Sequence, residues 1–432
     1  MMSKDEKAEQ IIIIGGGAAG MMAAIAAAGK GRRVLLLEQN EKLGKKLYIT
    51  GKGRCNLTND SDVSQHLSAV VSNPRFLYSA QTQFDAQATK DFFQQLGLPL
   101  KTERGNRVFP VSDHSSDVIK ALEYECKRLG VEIRLNTKVK ELLLKTEDTQ
   151  QASEEQKDKA TKAVAGVLLA DGKKEMGQAV IMATGGVSYP STGADGSGLS
   201  MARRAGHHVT DLYPALVPLC TKEKWTAQLA GLSLRNISIS IKNGNKKLYE
   251  EFGEMLFTHR GVSGPVILSA SSYISHYLTE GASLRLEIDL KPALDEQKLD
   301  QRLIRELEQA GIRHIKNVCA ALLPHSLIPV VLDQAGIPKD RRSCDIGKKE
   351  RMALLHTLKS LTMTITGTEG FDAAIITRGG IDTREIHPGT MESRRIRGLY
   401  FAGECIDVDA LTGGFNLQIA WATGYKAGLS AG

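Results

Sequence analysis

The 432-residue chain has few cysteines and few aromatic residues, and each scarcity argues against a class of function. The six cysteines lie far apart and include no C-x-x-C pair, so the sequence supports neither a redox-active dithiol nor a zinc ribbon. Aromatic residues make up 5% of the chain, too few for the interleaved stacking positions of an RNA-binding surface. Without a metal-ligand pattern we expect no bound metal, and because we do not interpret the N-terminal segment as a signal peptide, we expect a reducing, cytoplasmic compartment.

Charge is not concentrated in a long block either. The 56 basic and 49 acidic residues leave a formal net charge of +7 that is spread along the chain. We interpret this excess mainly as solvated surface with some anion-binding positions, and we expect neither nucleic acid nor a membrane as partner. An RNA-associated protein stays an alternative because several basic residues lie near predicted loops. They are Lys45, Lys46, Lys52, Arg54 and Arg260.

What the chain does have is a dinucleotide-binding pattern near its start. An apolar run over residues 11–14 leads into Gly15-x-Gly17-x-x-Gly20, small residues at helical spacing follow, and the next apolar run ends at Glu38. Gly15 permits a tight turn, Gly17 lets the backbone approach a phosphate, and Gly20 lets the helix pack close to the sheet. A carboxylate at Glu38 suits ribose hydroxyls and disfavours a 2′-phosphate, so the pattern predicts FAD or NAD rather than NADP. The glycines argue against a signal peptide or membrane anchor.

The segments that follow predict further helices and strands. Residues 43–56 are rich in glycine and lysine, which predicts a loop held against a ligand or solvent. The spacing of apolar residues predicts helices over residues 86–96 and 116–129, and a strand over residues 131–135 that continues at Val139.

A meander and a polar loop are expected next. Residues 164–170, the Asp171-Gly172 turn and residues 179–183 predict a short meander that ends in Thr184-Gly185-Gly186, where the backbone can come close to a ligand. Residues 146–162 are polar and charged, which predicts a hairpin tip or surface loop.

From about residue 195, apolar and polar residues alternate with period two, which predicts a mostly antiparallel sheet or barrel inserted into the first domain. The alternating segments are residues 237–241 before an Asn243-Gly244 turn, 284–290 and 361–365. Helical spacing predicts a small helical subdomain at residues 295–310, 325–335 and 347–360. A strand at residues 398–403 and a helix at 417–427 must return to the first domain if they complete a nucleotide site.

Three stretches carry a resemblance to a known family. They are GKGRCNLTN at residues 51–59, LFTHRGVSGP at 256–265 and LYFAGECIDVDALTGGFNLQIAWATG at 399–424. Together with the first glycine pattern, they resemble the two-dinucleotide-binding-domain flavoprotein superfamily. Within it, the chain is similar to the HI0933-like family of FAD-dependent oxidoreductases, which includes bile-acid reductase-like and aminoacetone oxidase-like members. The resemblance covers essentially the whole chain.

The resemblance implies an α/β fold, in which a Rossmann-like FAD-binding domain carries the inserted β domain and the helical subdomain. Residues 1–194 would form the first part of the FAD-binding domain and residues 367–432 its C-terminal part. Residues 195–291 and 350–366 would form a β-rich substrate domain, and residues 292–349 the helical subdomain.

The resemblance also implies how FAD is bound. Its pyrophosphate would lie at residues 15–20 and its adenosine ribose at Glu38, while the backbone of Val139 would contact adenine. Glu404 would bind the ribitol chain, and the helix that starts at residues 413–418 would face the flavin pyrimidine edge. The cofactor-binding residues expected in full are Gly15, Gly17, Ala18, Ala19, Gly20, Glu38, Gln39, Lys45, Lys46, Gly53, Arg54, Cys55, Asn56, Val139, Thr184, Gly185, Gly186, Gly403, Glu404, Gly413, Gly414, Asn416, Leu417 and Gln418.

The candidate catalytic residues are Arg54, Asn56, His259 and Arg260. Arg54 suits a phosphate or carboxylate clamp as well as a substrate contact. His259 and Arg260 could bind an anionic substrate and exchange a proton near neutral pH, or could simply form a polar turn. Cys55 has no partner thiol, and we favour a small packed residue over a nucleophile.

The expected reaction is hydride transfer between flavin N5 and a small organic substrate. Because the chain has one G-x-G-x-x-G pattern, the redox partner would be NAD(P)H bound transiently at the substrate face, or oxygen. An RNA-associated flavoprotein and a flavin-binding sensor without turnover stay alternatives. Substrate identity and oligomeric state are left open by the sequence.

Overall fold

The structure, a computed structural model, describes residues 10–147 and 161–432. One unit contains the described residues up to Tyr213 together with Ile375–Gly432, and the other contains Pro214–Ala374. The first holds a parallel sheet and the second a closed antiparallel barrel. The predicted α/β fold class with an inserted antiparallel β domain is therefore confirmed, whereas the boundaries expected for the individual domains stay a prediction.

The first unit is built around a five-stranded sheet in which all neighbouring strands are parallel. Along the sheet, the strands are Leu399–Phe401, Ala179–Met182, Ile11–Ile14, Val34–Leu37 and Glu132–Arg134. The first four of these strands are buried throughout, which explains why they are continuous apolar runs rather than alternating ones. The strand Leu399–Phe401, near the C-terminus, therefore lies in the same sheet as Ile11–Ile14, near the N-terminus.

The first and last helices of this unit, Ala18–Gly29 and Phe415–Ser430, pack closely against each other. A Cβ atom added at Gly424 would lie 2.4 Å from the carbonyl oxygen of Ala19, so only glycine permits this approach. The small residues of both helices thus bring the two ends of the chain together.

Shorter elements complete the first unit. Its other helices are Lys45–Ile49, Val63–Ser68, Tyr78–Gln83, Ala86–Gln95, Ser115–Arg128 and Ser197–Arg204. Its other strands are Thr58–Asn59, Val70–Ser72, Leu100–Glu103, Arg107–Pro110, Val139–Glu147, Thr161–Leu169, Lys174–Met176, Ile376–Arg378, Ile396–Arg397 and Asp409–Ala410. The strand Tyr213–Ala215 spans the boundary between the units.

Two predicted strand connections were wrong. Val139 does not continue the Glu132–Arg134 strand but begins Val139–Glu147, which pairs antiparallel with Thr161–Leu169 in a separate sheet. The predicted meander contains a hairpin around Gly172, but Ala179–Met182 leaves it and joins the parallel sheet. Local patterns indicate that a strand exists, whereas its partner is chosen by tertiary packing.

The stretch predicted as a loop at residues 43–56 also differs in part. Residues Lys45–Ile49 form one short helix, and the tight turn Thr50–Gly53 follows with Gly51 and Lys52 in the left-handed region. Of the polar loop predicted at residues 146–162, residues 148–160 lie outside the described residues.

The second unit contains a closed six-stranded barrel with antiparallel pairing. Around the barrel, the strands are Leu219–Thr221, Gly261–Ser263, Lys246–Phe257, Ser233–Asn243, Leu284–Asp289 and Leu361–Thr368. The predicted alternation is confirmed because Ile237, Ile239 and Ile241 are buried. Gly244 forms the predicted turn with a φ of +55°.

Helices surround and extend this barrel. They are Trp225–Gln228, Pro265–Thr279, Glu296–Ala310, Ile315–Ala320, Ile328–Gln334 and Lys348–Lys359. Leu303 and Leu354 of the predicted helical segment belong to the same apolar core as Ile239 and Leu286 of the barrel. Within the described ranges, no helix is long and apolar enough to cross a bilayer.

Candidate functional site

The candidate site lies at the carboxyl ends of four neighbouring parallel strands. Gly15 follows the strand Ile11–Ile14, and Glu38 follows Val34–Leu37. Thr184 lies just beyond Ala179–Met182, and Glu404 lies just beyond Leu399–Phe401. In open parallel sheets, ligands bind in the crevice outside these strand ends. These residues, which the family resemblance assigns to one ligand, therefore meet at one sheet edge.

The glycine turn, residues 15–20, has the shape that a pyrophosphate requires. Gly15 has a φ of +105°, which favours glycine, and a Cβ at Gly20 would lie 1.8 Å from the Gly15 carbonyl oxygen. A Cβ at Gly17, in contrast, would meet nothing within 4 Å. The turn is therefore packed on its inner side and open at Gly17, where the first N–H groups of the helix can meet an anion.

Glu38 is buried at the end of its strand and held by donors on both carboxylate oxygens. The Gly16 amide donates to Oε2 at 2.7 Å, and the amide and side chain of Asn40 donate to Oε1 at 2.8 and 2.7 Å. Gln39 donates to the Gly193 carbonyl at 2.6 Å, while Lys45 contacts Asn40 at 3.3 Å. Asn40 was missed by the sequence analysis, although it lies two residues beyond the predicted acid.

Glu404 is the centre of a network that joins four chain segments, which we call the Glu404 network: Lys46, Ser188, Thr377 and Glu404. Lys46 donates to both carboxylate oxygens at 2.9 and 2.7 Å, and also to the Ser188 hydroxyl at 2.6 Å. The Ser188 hydroxyl and the Thr377 amide each donate to Oε1 at 2.8 Å. Ser188 and Thr377 were not predicted; only the proximity of Ser188 to Gly186 could have drawn attention to it.

The segment Arg54 to Asn56 contains three predicted site residues with different environments. Arg54 donates to Asp113 at 2.8 Å and to Glu103, and its guanidinium lies 4.1 Å from the centre of the Phe109 ring. The hydrogen bond from Arg54 holds the pKa of Glu103 below its usual range, and hydrogen bonds from Lys101 and Arg54 hold the pKa of Asp113 below its usual range.

Cys55 is fully buried, and burial raises the pKa of its thiol to about 12. At neutral pH it is therefore protonated, which agrees with a packed residue rather than a nucleophile. The neighbouring Asn56 has a buried Oδ1, and Thr184 a buried Oγ1, without hydrogen-bond partners in the described part of the chain. Such unpaired polar atoms fit a site whose polar ligand completes their hydrogen bonding.

The strand Thr58–Asn59, which follows the Arg54 to Asn56 segment, holds the start of the helix Phe415–Ser430. Asn59 donates to the Gly413 carbonyl at 3.1 Å, and a Cβ at Gly414 would lie 2.4 Å from the Thr58 carbonyl oxygen. The Asn416 side chain bonds both the amide and the carbonyl of Ala410, at 3.0 and 2.7 Å. These contacts position Gly413 and Gly414 at the helix N-terminus.

Gln418 is fully buried, and its amide is used within the protein. Its oxygen accepts hydrogen bonds from Thr58 at 2.7 Å and Thr89 at 2.8 Å, and its nitrogen donates to the Phe84 carbonyl at 2.7 Å. These bonds favour a packing role, and the cofactor contact expected for Gln418 stays a prediction.

Three further predicted site residues, Val139, His259 and Arg260, lie in other parts of the structure. Val139 lines a cleft of about 280 Å³ in the first unit, together with Lys138, Ala170 and Arg204. His259 and Arg260 lie in the second unit, exposed on the turn between the Lys246–Phe257 and Gly261–Ser263 strands. In the described part of the chain, no cluster of three or more His, Cys, Asp or Glu side chains could hold a metal ion.

Comparisons with known proteins agree with this architecture. The chain is 36% identical over 400 residues to the 3-dehydro-bile acid delta(4,6)-reductase of Clostridium scindens, covering 92% of each chain. It is 31% identical over 402 residues to the ribosomal RNA dihydrouridine synthase of Haemophilus influenzae, covering 93% of this chain and 92% of the relative.

The protein of the same name from Escherichia coli is 32% identical over 400 residues, with 91% of each chain covered. Among solved structures, the 3-ketosteroid delta1-dehydrogenase of Sterolibacterium denitrificans shares the fold with a TM-score of 0.52 at 14% identity, over 98% of this chain and 99% of that one. The family model described as HI0933-like protein Rossmann domain matches residues 9–430. This chain therefore belongs to the HI0933-like family of FAD-dependent oxidoreductases.

Proposed function

We propose that this protein is an FAD-dependent reductase that delivers a hydride to a carbon–carbon double bond conjugated with a carbonyl group. The observation that carries the cofactor part is the meeting of the glycine turn, Glu38 and Glu404 at one sheet edge. Bound FAD would supply hydride transfer at its N5 position. The conjugated double bond is what the activities named for the bile-acid and RNA relatives have in common.

The chain's own residues would divide the binding task between them. The glycine turn presents N–H groups to the pyrophosphate, and the carboxylate of Glu38 accepts hydrogen bonds from ribose hydroxyls. Glu404 would accept hydrogen bonds from the ribitol chain. Gly413 and Gly414 expose the N-terminus of a 16-residue helix, whose dipole stabilises negative charge on the ring.

Reduction of a double bond also requires a proton and an oriented substrate. His259, which is exposed, is of the residue type that exchanges protons near neutral pH, and we assign it this role. Arg260 would bind an anionic group of the substrate. Asn56, whose Oδ1 has no hydrogen-bond partner among the residues that the structure describes, would contact the cofactor or substrate, while Arg54 stays a candidate clamp.

The electron donor would be NADH or NADPH bound transiently, with oxygen as an alternative partner of the reduced protein. The first test is the absorption spectrum of the purified protein, since colourless protein that takes up no added FAD would overturn the proposal. Anaerobic mixing with each nicotinamide follows, and bleaching by one of them identifies the donor. Reoxidation by a 3-keto-4-ene steroid, with loss of the enone absorbance, would support the substrate class; the matching saturated ketone is the control.

A second candidate is the same reduction on uridine within ribosomal RNA. Two relatives with at least 31% identity carry that name, and the formal charge of +7 is compatible with a polyanionic substrate. Formation of dihydrouridine in an rRNA transcript, without turnover of small enones, would favour it. A third candidate is a flavin-binding sensor, which would remain yellow with every donor offered. The expected cytoplasmic location stays a prediction.

A further inference from the structure

We propose that Ser188 and Thr377 are positioning residues that hold the Glu404 carboxylate so that one of its oxygens faces the bound cofactor. This inference rests on the proposed FAD site. It concerns two residues for which the sequence patterns indicated no role.

The two oxygens of Glu404 are occupied unequally. Oε1 accepts hydrogen bonds from Ser188 Oγ, the Thr377 amide and Lys46 Nζ, at 2.8, 2.8 and 2.9 Å. Among the described residues, Oε2 accepts one hydrogen bond, from Lys46 Nζ at 2.7 Å. A carboxylate oxygen has about two lone-pair sites, so Oε1 is saturated, whereas Oε2 retains acceptor capacity for a ligand hydroxyl.

Thr377 fixes this arrangement from inside the protein. Its hydroxyl accepts hydrogen bonds from the amides of Val187 and Ser188, at 2.8 and 3.1 Å, and lies 3.3 Å from the Ser188 hydroxyl to which it donates. Ser188 and Thr377 are 0% and 1% exposed, so neither side chain is available to a solvent-side ligand. They therefore act on a ligand through Glu404 rather than by direct contact.

The close approach of these segments depends on a glycine. A Cβ at Gly186 would lie 2.3 Å from Thr377 Oγ1 and 3.3 Å from Glu404 Oε1. Gly186 belongs to the predicted Thr-Gly-Gly strand end. Glycine is therefore favoured at position 186 partly because Thr377 and Glu404 come close to each other there, in addition to any approach of a ligand.

The test measures FAD affinity of the apoprotein for Thr377→Val and Ser188→Ala. Ser188→Ala removes a hydrogen bond to Glu404 Oε1, whereas Thr377→Val keeps the amide that donates to Oε1 but removes the hydroxyl that holds Val187 and Ser188 in place. Both changes loosen the hold on the Glu404 carboxylate, and we expect the FAD dissociation constant to rise about tenfold or more. Thr377→Ser retains the hydroxyl and should bind FAD within about threefold of wild type. The flavin circular dichroism should change in the valine variant and be restored in the serine variant.

Thr226→Val is the matched control, because Thr226 is a buried threonine of the second unit whose hydroxyl donates to the Glu223 carbonyl at 2.7 Å. It should lose stability without losing FAD affinity. If Thr377→Val does not fold, Ser188→Ala decides.

Wild-type affinity in both hydroxyl-deleted variants, or no rescue by Thr377→Ser, would overturn the inference while leaving the FAD proposal intact. A wild-type protein that binds no FAD would instead overturn the proposed function.

Discussion

The indole nitrogen of Trp421 donates a 2.9 Å hydrogen bond to the carbonyl oxygen of Leu57, although 364 positions separate them in the sequence. The next two residues, Thr58 and Asn59, bond Gln418 and Gly413 of the same C-terminal segment, at 2.7 and 3.1 Å. Two of the three stretches that carry the family resemblance, residues 51–59 and 399–424, are therefore packed against each other. Part of their sequence specificity reflects this mutual packing rather than contact with a ligand.

The first prediction concerns Gln418 as the buried centre of this packing. Gln418→Ala leaves the Thr58 and Thr89 hydroxyls and the Phe84 carbonyl without their partner, so the free energy of unfolding should fall by about 2 to 4 kcal/mol. Denaturant unfolding of the apoprotein measures it. Gln94→Ala, at an exposed helix position, should change stability by less than about 0.5 kcal/mol. Equal stabilities of the two variants would contradict the role assigned to Gln418.

The second prediction separates two glycines of the same turn. Gly17→Ala should fold normally, because the site of its Cβ is open and its φ of −84° is allowed for alanine. The new methyl group should nevertheless weaken FAD binding about tenfold or more, since it occupies the space that a phosphate would approach. Fluorescence titration with FAD measures this affinity.

Gly20→Ala is the counterpart, because its Cβ would overlap the Gly15 carbonyl oxygen at 1.8 Å. We expect a loss of about 3 kcal/mol or more in the free energy of unfolding, measured with denaturant on the apoprotein. Undiminished FAD affinity in Gly17→Ala together with a stable Gly20→Ala would exclude this geometry of the turn.

The third prediction is a pH dependence that originates at Asp409. Its side chain is fully buried, and burial raises its pKa from 3.8 to about 6, with Ser72 and Arg378 opposing part of the shift. Between these two values, the folded protein keeps a proton that the unfolded chain has lost. The free energy of unfolding should therefore fall as the pH rises through this window and level off above it.

Asp409→Asn removes the free-energy cost of ionising a buried carboxyl. Its stability gain over wild type should be near zero below about pH 4 and approach about 3 kcal/mol above about pH 6. Denaturant midpoints across that pH range measure the gain. The exposed Asp372→Asn is the control and should show no such gain. A difference between Asp409→Asn and wild type that does not vary with pH would contradict a buried, protonated carboxyl.

The fourth prediction ranks the six thiols by reactivity. Cys344 is exposed and Cys220 is half-buried, whereas burial raises the pKa values of the other four to about 12. A thiol-specific reagent should modify one cysteine rapidly in the native protein, one slowly, and four only on unfolding. Cys344→Ser should remove the fast phase. Modification of Cys55 at the rate of Cys344 would refute its assignment as an inert packed residue.

Much of the fold could be predicted because its determinants are local. The continuous apolar residues of Ile11–Ile14 indicate a strand buried on both faces, and the spacing of Gly15, Gly17 and Gly20 indicates the turn and helix that follow. In the barrel, the alternation of Ile237 and Ile239 indicates a strand with one buried face. These signals act through backbone sterics and side-chain direction over a few residues, so the sequence alone carries them.

The partners of individual side chains were decided by the tertiary structure. Lys45 and Lys46 are adjacent and chemically identical, yet Lys45 contacts Asn40 and Glu41, whereas Lys46 bonds Glu404, 358 positions away. No local pattern distinguishes the two lysines. The helix turns their side chains in different directions, and the partner of Lys46 comes from a strand end that is remote in the sequence.

The same reason explains why Thr377 escaped sequence analysis and why Ala179–Met182 was assigned to the wrong sheet. The sequence determined which strands, turns and helices this chain can form, since those depend on neighbouring residues. Only the tertiary structure decided which strand ends meet at the sheet edge, and which oxygen of Glu404 is left to accept a further hydrogen bond. The reason is that hydrogen bonds form between groups that folding brings within reach, whatever their separation along the chain.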